Sequence, residues 1–213
     1  IDCGNSGTTL RLFIGQAARF SKPTRFCGDE SLSTRPNGPL LAALALLGCK
    51  CVDGLNGGLP ITVAGPPTNR NTSVEGALSS QFASAICFLG AGLSEGLSLK
   101  LRGAMPSRAY LDLTLQVLKG FGAEVACQAA SGEDVITVRS GDLRAQNWEV
   151  EGDWSTAAFP LAASLATGTA VSLSGLSANS SQADVQICRI VEQLGASLVW
   201  QNSRLLCQPG QSK

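Results

Sequence analysis

The stretch FGAEV at residues 121–125 closes a helical pattern with a glycine and continues as an alternating strand pattern. The same pattern of a helix end followed by a strand recurs at LGCKCV (residues 47–52) and LGASLV (residues 194–199). The three glycines are therefore 74 and 73 residues apart. Glycine is favoured at a helix end because it adopts the left-handed conformation without strain. A period of this size indicates a supersecondary unit that is repeated along the chain.

A second series runs in phase with the first, at GNSGTTL (residues 4–10), EGALSSQ (residues 75–81) and EGDWSTA (residues 151–157). In each, glycine and small polar residues precede an apolar helical pattern. The helices predicted from both series cover residues 10–18, 40–47, 82–89, 110–118, 157–165 and 185–194. Each unit therefore has two helices and several short strands, and the sequence predicts an α/β (α+β) fold built from three such units.

Length, charge and composition narrow the class of protein. The 213 residues, 44% of them hydrophobic, are enough for one large domain or two small ones. Sixteen Lys and Arg against 16 Asp and Glu leave no net charge, which argues against a nucleic-acid binder that follows the phosphate backbone. Because histidine is absent, Ser-His-Asp and Cys-His catalysis and every histidine-containing metal site are excluded.

The compartment is indicated by three further features. No apolar run reaches the roughly 18–20 residues of a membrane span, and the N-terminal residues lack the basic and apolar regions of an export signal. The eight cysteines are scattered without a Cys-x-x-Cys pair, so we expect reduced, structural thiols. The sequence thus favours a cytoplasmic protein without a membrane partner.

The start of the helix predicted at residues 82–89 is a candidate anion site. Ser79 and Ser80 add hydroxyl groups, and Gln81 an amide, to the unpaired N–H groups of a helix N-terminus. Serine is also an ordinary N-cap, so these residues have a purely structural interpretation as well. The glycine loop at residues 4–8 has the same two interpretations, and no Gly-Lys-Ser/Thr follows to make it a Walker A loop.

Two arginines strengthen the case for an anionic ligand. Arg11 lies among apolar residues of the first predicted helix, where a charge is costly unless it is paired or bound to a ligand. Arg35 precedes a proline in a polar loop, and its guanidinium can hold a carboxylate with two parallel hydrogen bonds. Both can equally pair with an acidic neighbour such as Asp29 or Glu30.

Four motifs then occur in order: GNSGTTLR (4–11), RPNGPL (35–40), SSQF (79–82) and SRAYLD (107–112). With EGDWSTA (151–157) and NSSQAD (179–184), they make the whole chain resemble the 5-enolpyruvylshikimate-3-phosphate synthase family, the sixth enzyme of the shikimate pathway of aromatic amino acid biosynthesis and the glyphosate target. The resemblance implies the enolpyruvyl transferase fold: two domains, each of three βαβαββ units around pseudo-threefold symmetry, with ligands in the cleft between them.

The resemblance also implies a reaction and its ligands. A transferase of this family moves the enolpyruvyl group of phosphoenolpyruvate onto the 5-hydroxyl of shikimate 3-phosphate, by addition and elimination, without a metal or organic cofactor. The implied shikimate 3-phosphate site is Ser79, Ser80, Gln81, Ser107 and Tyr110. The implied phosphoenolpyruvate site is Gly7, Arg35 and Gln81, while Asn5 and Arg11 match motif positions with a supporting role, and no metal site is implied.

The chain departs from the family pattern in two ways. Ser6 stands where the family usually has alanine, which puts a hydroxyl beside the phosphoenolpyruvate loop, and Ala109 stands where proline is common. The family's Lys-Ser pair and Arg of an earlier unit, and its Asp, Glu, arginines and lysine of later units, have no match here, so the catalytic residues stay unassigned. We therefore expect residues 1–148 to be two units of the N-terminal domain, residues 149–213 to be the first unit of the C-terminal domain, and the chain to be inactive alone.

Three functions are compatible with these observations. One is the shikimate-pathway transferase, present as a fragment, with shikimate 3-phosphate and phosphoenolpyruvate as ligands and a complementing fragment of the same enzyme as a partner. Another is a noncatalytic binding or assembly module derived from the same scaffold. The last is the enolpyruvyl transferase that acts on a UDP-amino sugar, over which the SSQ motif favours the shikimate enzyme.

Overall fold

The computed structural model describes residues 1–130 and 133–210. The helices are α1 (Gly7–Ala17), α2 (Glu30–Ser33), α3 (Gly38–Leu46), α4 (Ser80–Ala91), α5 (Arg108–Gly120), α6 (Trp154–Thr167) and α7 (Ile187–Gln193), with short 3-10 turns at Leu55–Gly57 and Ala183–Gln186. The strands are β1 (Thr24–Phe26), β2 (Lys50–Val52), β3 (Ile61–Ala64), β4 (Asn71–Glu75), β5 (Leu97–Arg102), β6 (Glu124–Ala130), β7 (Glu133–Arg139), β8 (Val171–Ser174), β9 (Ser197–Gln201) and β10 (Arg204–Gln208). The predicted α/β class is confirmed.

The chain divides into two compact units, Ile1–Gln146 and Asn147–Lys213. The first buries a core formed by its helices and sheets, including Leu10, Ile14 and Ile86. The second has a smaller core of its own around Trp154. That these units are parts of an N-terminal and a C-terminal domain stays a prediction.

The βαβαββ unit is complete in the middle of the chain, where β4, α4, β5, α5, β6 and β7 follow one another. Their sheet has the order β4-β5-β7-β6, with β4 and β5 parallel and the other neighbours antiparallel. The first repeat gives the sheet β1-β3-β2 and the last gives β8-β10-β9. A parallel bridge between Asp2 and Cys27 occupies the place of the first strand in the first repeat.

One backbone hydrogen bond recurs in all three repeats. It joins the segment before the first helix of the unit to the end of the strand that follows that helix. The donor and acceptor pairs are Cys3 N to Cys27 O (2.9 Å), Gly76 N to Arg102 O (2.8 Å) and Gly152 N to Gly175 O (2.6 Å). This recurring hydrogen bond, called the backbone joint below, fixes the position of the start of each first helix relative to the sheet of its unit.

The repeated glycines end the second helix of each unit in the predicted conformation. Gly48, Gly122 and Gly195 have φ of +86°, +95° and +97°. In each case the glycine N–H donates to the carbonyl three residues back, and the next N–H donates to the carbonyl five residues back, at 2.9–3.0 Å. This pair of bonds is a Schellman motif, which satisfies carbonyls that the helix end leaves open.

All six predicted helices are present, with ends that differ from the predictions by a few residues. The apolar patterns locate the buried stretch of each helix, whereas the observed helix begins at its polar cap. The pattern at residues 82–89, for example, lies inside α4, which begins at Ser80. The pattern at residues 185–194 is a 3-10 turn followed by the shorter α7.

The eight cysteines are free thiols. Cys87 is fully buried in α4, and this burial raises the pKa of its thiol to about 12. Burial also raises the pKa of Cys49 and of Cys51 to about 11. In the part of the chain that the structure describes, no helix is both long enough and apolar enough to cross a membrane.

Candidate anion-binding site

The start of α1 is organised by its own capping residue. Ser6 is the N-cap, and its Oγ accepts a hydrogen bond from the Thr9 N–H at 3.1 Å. The hydroxyl that departs from the family pattern therefore serves the helix itself. Gly7 follows as the first helical residue, and it is buried.

The starts of α4 and α5 meet through serine side chains. Ser79 is the N-cap of α4, and its Oγ accepts from the Gln81 N–H at 3.2 Å. The N–H of Ser80, which is itself buried, donates to Ser107 Oγ at 3.3 Å. Although Ser107 is the N-cap of α5, its side chain makes no capping bond there and turns instead to α4. Ser79 is thus an ordinary helix N-cap. Ser80 and Ser107 bring the starts of α4 and α5 together through a hydrogen bond.

Gln81 connects the start of α4 to the start of α1. Its Nε2 donates to Thr8 Oγ1 at 2.8 Å, and its Oε1 accepts from Arg11 Nη1 at 2.6 Å. The Arg11 guanidinium also lies over the Phe82 ring, with 4.9 Å between its Cζ and the ring centroid. The first turns of α1 and α4 are therefore joined through the side-chain amide of Gln81.

Arg35 lies beside Gly7, and its Nη1 would be 3.3 Å from a Cβ at that position. Its Nη2 donates to Asn5 Oδ1 at 2.7 Å, and Asn5 Nδ2 in turn donates to Asp29 Oδ2 at 2.7 Å. Hydrogen bonds from the Leu32 N–H and from Asn5, together with the charge of Arg35, hold the pKa of Asp29 below its usual value. Asp29 is therefore ionised at neutral pH, and its oxygens are engaged by the Leu32 N–H and by Asn5.

The positive charge of this site is not cancelled by direct ion pairs. Among the described residues, none of the salt bridges includes Arg11 or Arg35, so pairing with Asp29 or Glu30 is not what holds them. Burial lowers the pKa of Arg11, and the nearby charge of Arg35 lowers it further. Two neighbouring guanidinium groups that repel each other are stabilised by a bound anion.

The structure places all nine predicted site residues in the first compact unit. Hydrogen bonds connect Ser79, Ser80, Gln81, Ser107 and Arg11, and another joins Arg35 to Asn5. Gly7 lies next to both arginines, and the Tyr110 N–H donates to Ser107 O at 3.2 Å. Tyr110 is 48% exposed in the first turn of α5, three residues after Ser107. The sequence reasoning missed Thr8 and Asn37, which bond to Gln81 and Arg11.

A cavity of about 320 Å³ elsewhere in this unit is a weaker candidate for an anion. It is lined by β4 and β5, and its cations are Lys100 and Arg102. Both are paired with carboxylates, Lys100 with Glu133 and Arg102 with Glu75. Within the described ranges, no group of three or more Cys, Asp or Glu side chains is arranged to hold a metal ion.

The arrangement of helices and strands is that of the enolpyruvyl transferase fold. The enolpyruvyl transferase NikO of Streptomyces tendae shares this fold, with a TM-score of 0.58 over 100% of this chain and 66% of NikO at 11% identity. The EPSP synthase of Acinetobacter baumannii is more similar, with a TM-score of 0.76 over 98% of this chain and 47% of that chain at 26% identity.

The chain belongs to the EPSP synthase (3-phosphoshikimate 1-carboxyvinyltransferase) family, whose model matches residues 1–212. The 3-phosphoshikimate 1-carboxyvinyltransferase of Methanopyrus kandleri is 41% identical over 202 residues, which are 93% of this chain and 46% of that enzyme. The Halobacterium salinarum enzyme is 39% identical over 208 residues, 94% of this chain and 47% of that enzyme. The chain therefore spans about half the length of these relatives.

A methyl group at Gly7 tests whether the space beside Arg35 is used by a ligand. An alanine Cβ there would lie 3.3 Å from Arg35 Nη1 and 3.9 Å from Arg11 Nη1. We expect Gly7→Ala to displace the Arg35 guanidinium and to weaken phosphoenolpyruvate or inorganic phosphate binding several-fold. The free energy of unfolding should change by less than about 1 kcal/mol, because the cost falls on a flexible side-chain end.

Isothermal titration and urea unfolding measure the two effects of Gly7→Ala separately. Gly38→Ala is the matched control, because Gly38 is also the first residue of a helix and an added Cβ there has nothing within 4 Å. Equal anion affinity in the two variants would show that the space beside Arg35 is not a ligand site.

Proposed function

We propose that this chain carries substrate-binding elements of an EPSP synthase, the enzyme that transfers the enolpyruvyl group of phosphoenolpyruvate to shikimate 3-phosphate. Ser79, Ser80, Gln81, Ser107 and Tyr110 serve shikimate 3-phosphate in this proposal. Gly7 and Arg35, with Gln81 shared, serve phosphoenolpyruvate, and Asn5 and Arg11 support them.

The observation that carries the proposal is the position of Gln81. Its side chain bonds to Arg11 and Thr8 of α1, and its backbone lies in the first turn of α4 beside Ser80 and Ser107. A phosphate at the start of α4 and a second anion between the arginines would therefore lie on either side of one amide. This arrangement suits a reaction that brings two anionic substrates together, because binding both in one site makes their encounter intramolecular.

A noncatalytic binding module is the second candidate, and one observation favours it. Of the site's charged groups, Asp29 has a pKa below its usual value, and the other two are the guanidinium groups of Arg11 and Arg35. The two guanidinium groups can bind an anion, but this set has no group suited to general acid catalysis near pH 7. In the transferase proposal, a complementing part of the same enzyme brings the acid and base.

An NMR titration of the labelled chain with shikimate 3-phosphate tests the proposed site. We expect millimolar binding, on the order of −4 kcal/mol, with the backbone amides of Ser79, Ser80, Gln81 and Ser107 perturbed first. Phosphoenolpyruvate alone should bind more weakly, because it meets only the Arg35 side of the site. Ser80→Ala removes one hydroxyl and should weaken shikimate 3-phosphate binding about tenfold, the effect of about 1.4 kcal/mol for one hydrogen bond to a charged group.

Ser155→Ala is the control for this titration, because Ser155 also lies in the first turn of a helix but belongs to the other compact unit. It should leave the affinity unchanged. Shifts confined to residues far from the α4 start, or no shifts at all, would refute the site.

A further inference from the structure

Asn37 occupies the N-cap position of α3 but does not cap it. An asparagine at this position ordinarily accepts a hydrogen bond from the second or third N–H of its helix. Here the second helical residue is Pro39, which has no N–H, and the Asn37 side chain makes no capping bond. The side chain is nevertheless fully buried, so its polar atoms must find partners elsewhere.

The Asn37 amide joins three segments of the chain. Its Oδ1 accepts from Arg11 Nε at 3.2 Å. Its Nδ2 donates to the carbonyls of Arg35 at 2.9 Å and of Gly57 at 3.3 Å. Both amide protons and the carbonyl oxygen are thereby used, which fixes the orientation of the amide plane.

The orientation of Arg11 follows from that of Asn37. With its Nε held by Asn37, its Nη2 donates to Pro36 O at 3.3 Å and its Nη1 donates to Gln81 Oε1 at 2.6 Å. A guanidinium is planar, so fixing Nε fixes the directions of both Nη groups. Gln81 Oε1 must then face Arg11, and Gln81 Nε2 is turned to Thr8.

We propose that Asn37 is a positioning residue that sets the Arg11 guanidinium and, through it, the orientation of the Gln81 amide. This relay of hydrogen bonds runs from the carbonyl of the buried Gly57, through Asn37 and Arg11, to the Gln81 amide between the two helix starts. The significance of Gln81 for substrate rests on the proposed function, whereas the relay itself does not. Asn37 touches none of the residues proposed to bind shikimate 3-phosphate directly, and it acts through Arg11.

The relay can be read without any ligand, from the side-chain NMR signals of the free, labelled chain. Asn37→Leu keeps the volume but removes all three hydrogen bonds. We expect both the Arg11 Nε–H signal and the Gln81 side-chain amide signals to move. Asn37→Asp loses the donors to the two carbonyls but retains an acceptor for Arg11, which the carboxylate charge strengthens, so it should leave the Gln81 signals close to those of the unsubstituted chain.

Asn69→Ala is the control, because Asn69 also donates its side-chain N–H to a backbone carbonyl, that of Leu46 at the end of α3, away from Arg11. It should move neither signal. If Asn37 only held its own segment in place through the two carbonyls, Asn37→Asp would perturb the Gln81 signals as much as Asn37→Leu does. This result would overturn the proposal. If Asn37→Leu does not fold, Asn37→Asp is compared with the unsubstituted chain and with Asn69→Ala instead. Gln81 signals that stay in place then support the proposal, and Gln81 signals that move overturn it.

The consequence for binding separates this inference from the proposed function. Asn37→Leu should weaken shikimate 3-phosphate binding about tenfold relative to Asn69→Ala. If the unsubstituted chain binds no shikimate 3-phosphate, the proposed function is wrong. The side-chain NMR signals of the free chain then still show whether Asn37 positions Arg11 and Gln81. If the chain binds and Asn37→Leu binds equally well with unmoved Gln81 signals, the relay is wrong while the proposed function stands.

Discussion

Gly15→Ala is expected to lower the free energy of unfolding of this chain by about 2 kcal/mol. Gly15 lies in α1 where it crosses α4, and an added Cβ would lie 2.9 Å from the Ala85 carbonyl carbon and closer still to its oxygen. Because these are backbone atoms of a buried helix, the two helices must move apart. Overpacking of this kind costs up to about 3 kcal/mol, and the better helix propensity of alanine returns about 1 kcal/mol.

Urea unfolding followed by circular dichroism measures this loss. Gly38→Ala places the same methyl group in a helix with nothing but its chain neighbours within 4 Å, so its effect should be less than about 1 kcal/mol. Since α1 and α4 carry Arg11 and Gln81, Gly15→Ala should also disturb the hydrogen bond between these side chains. Equal stability of Gly15→Ala and Gly38→Ala would contradict the close helix contact.

The second large effect concerns catalysis by the 213-residue chain alone. We expect its rate of phosphate release from shikimate 3-phosphate and phosphoenolpyruvate to be at least about 10⁴-fold below that of the full-length Methanopyrus kandleri enzyme. Loss of general acid–base catalysis costs roughly 10²–10⁴, and loss of charge-stabilising donors costs roughly a further 10²–10³. Release above the buffer blank that persists after repurification would show that the chain supplies these groups itself.

A chimera separates the transferase from the noncatalytic module. In it, this chain replaces the matching 202-residue stretch of the Methanopyrus kandleri enzyme. If the chain carries working substrate-binding elements, the chimera is active, and Arg35→Ala in it raises KM for phosphoenolpyruvate. A folded but inactive chimera supports the module, because the missing acid and base are then present and the fault lies in this chain.

The parts of the fold that depend on local sequence were predictable. The helix ends at Gly48, Gly122 and Gly195 were predicted because the left-handed conformation selects glycine. The helices were predicted from apolar periodicity, although their N-terminal ends were missed by up to three residues because caps are polar. The identity of the site residues was suggested by the family motifs.

The contacts within the site were less predictable, because they join residues that are distant in sequence. Arg11 and Gln81 are 70 residues apart, and Arg35 and Asn5 are 30 apart. An arginine in an apolar helix suggested an acidic partner or a ligand, yet its partners are two amides and a carbonyl. A signal for Asn37 was present in the sequence, since Pro39 deprives an asparagine N-cap of one of its usual partners.

The backbone joint that recurs in the three repeats bears on how such a protein arises. Cys3, Gly76 and Gly152 make it with main-chain atoms. It needs no particular functional group, although an added Cβ at Gly76 or Gly152 would lie 3.0 Å or 3.1 Å from a carbonyl oxygen. A gene segment of this period can therefore be duplicated in tandem, and the new copy can form this backbone hydrogen bond before any substitution adapts it. The copies are then free to diverge in their helix starts, as SGTTL, SSQF and WSTA have done. Ancestral reconstruction of the repeat should accordingly recover the joint and the Schellman glycine in every copy, while the residues of the anion site appear in only some of them.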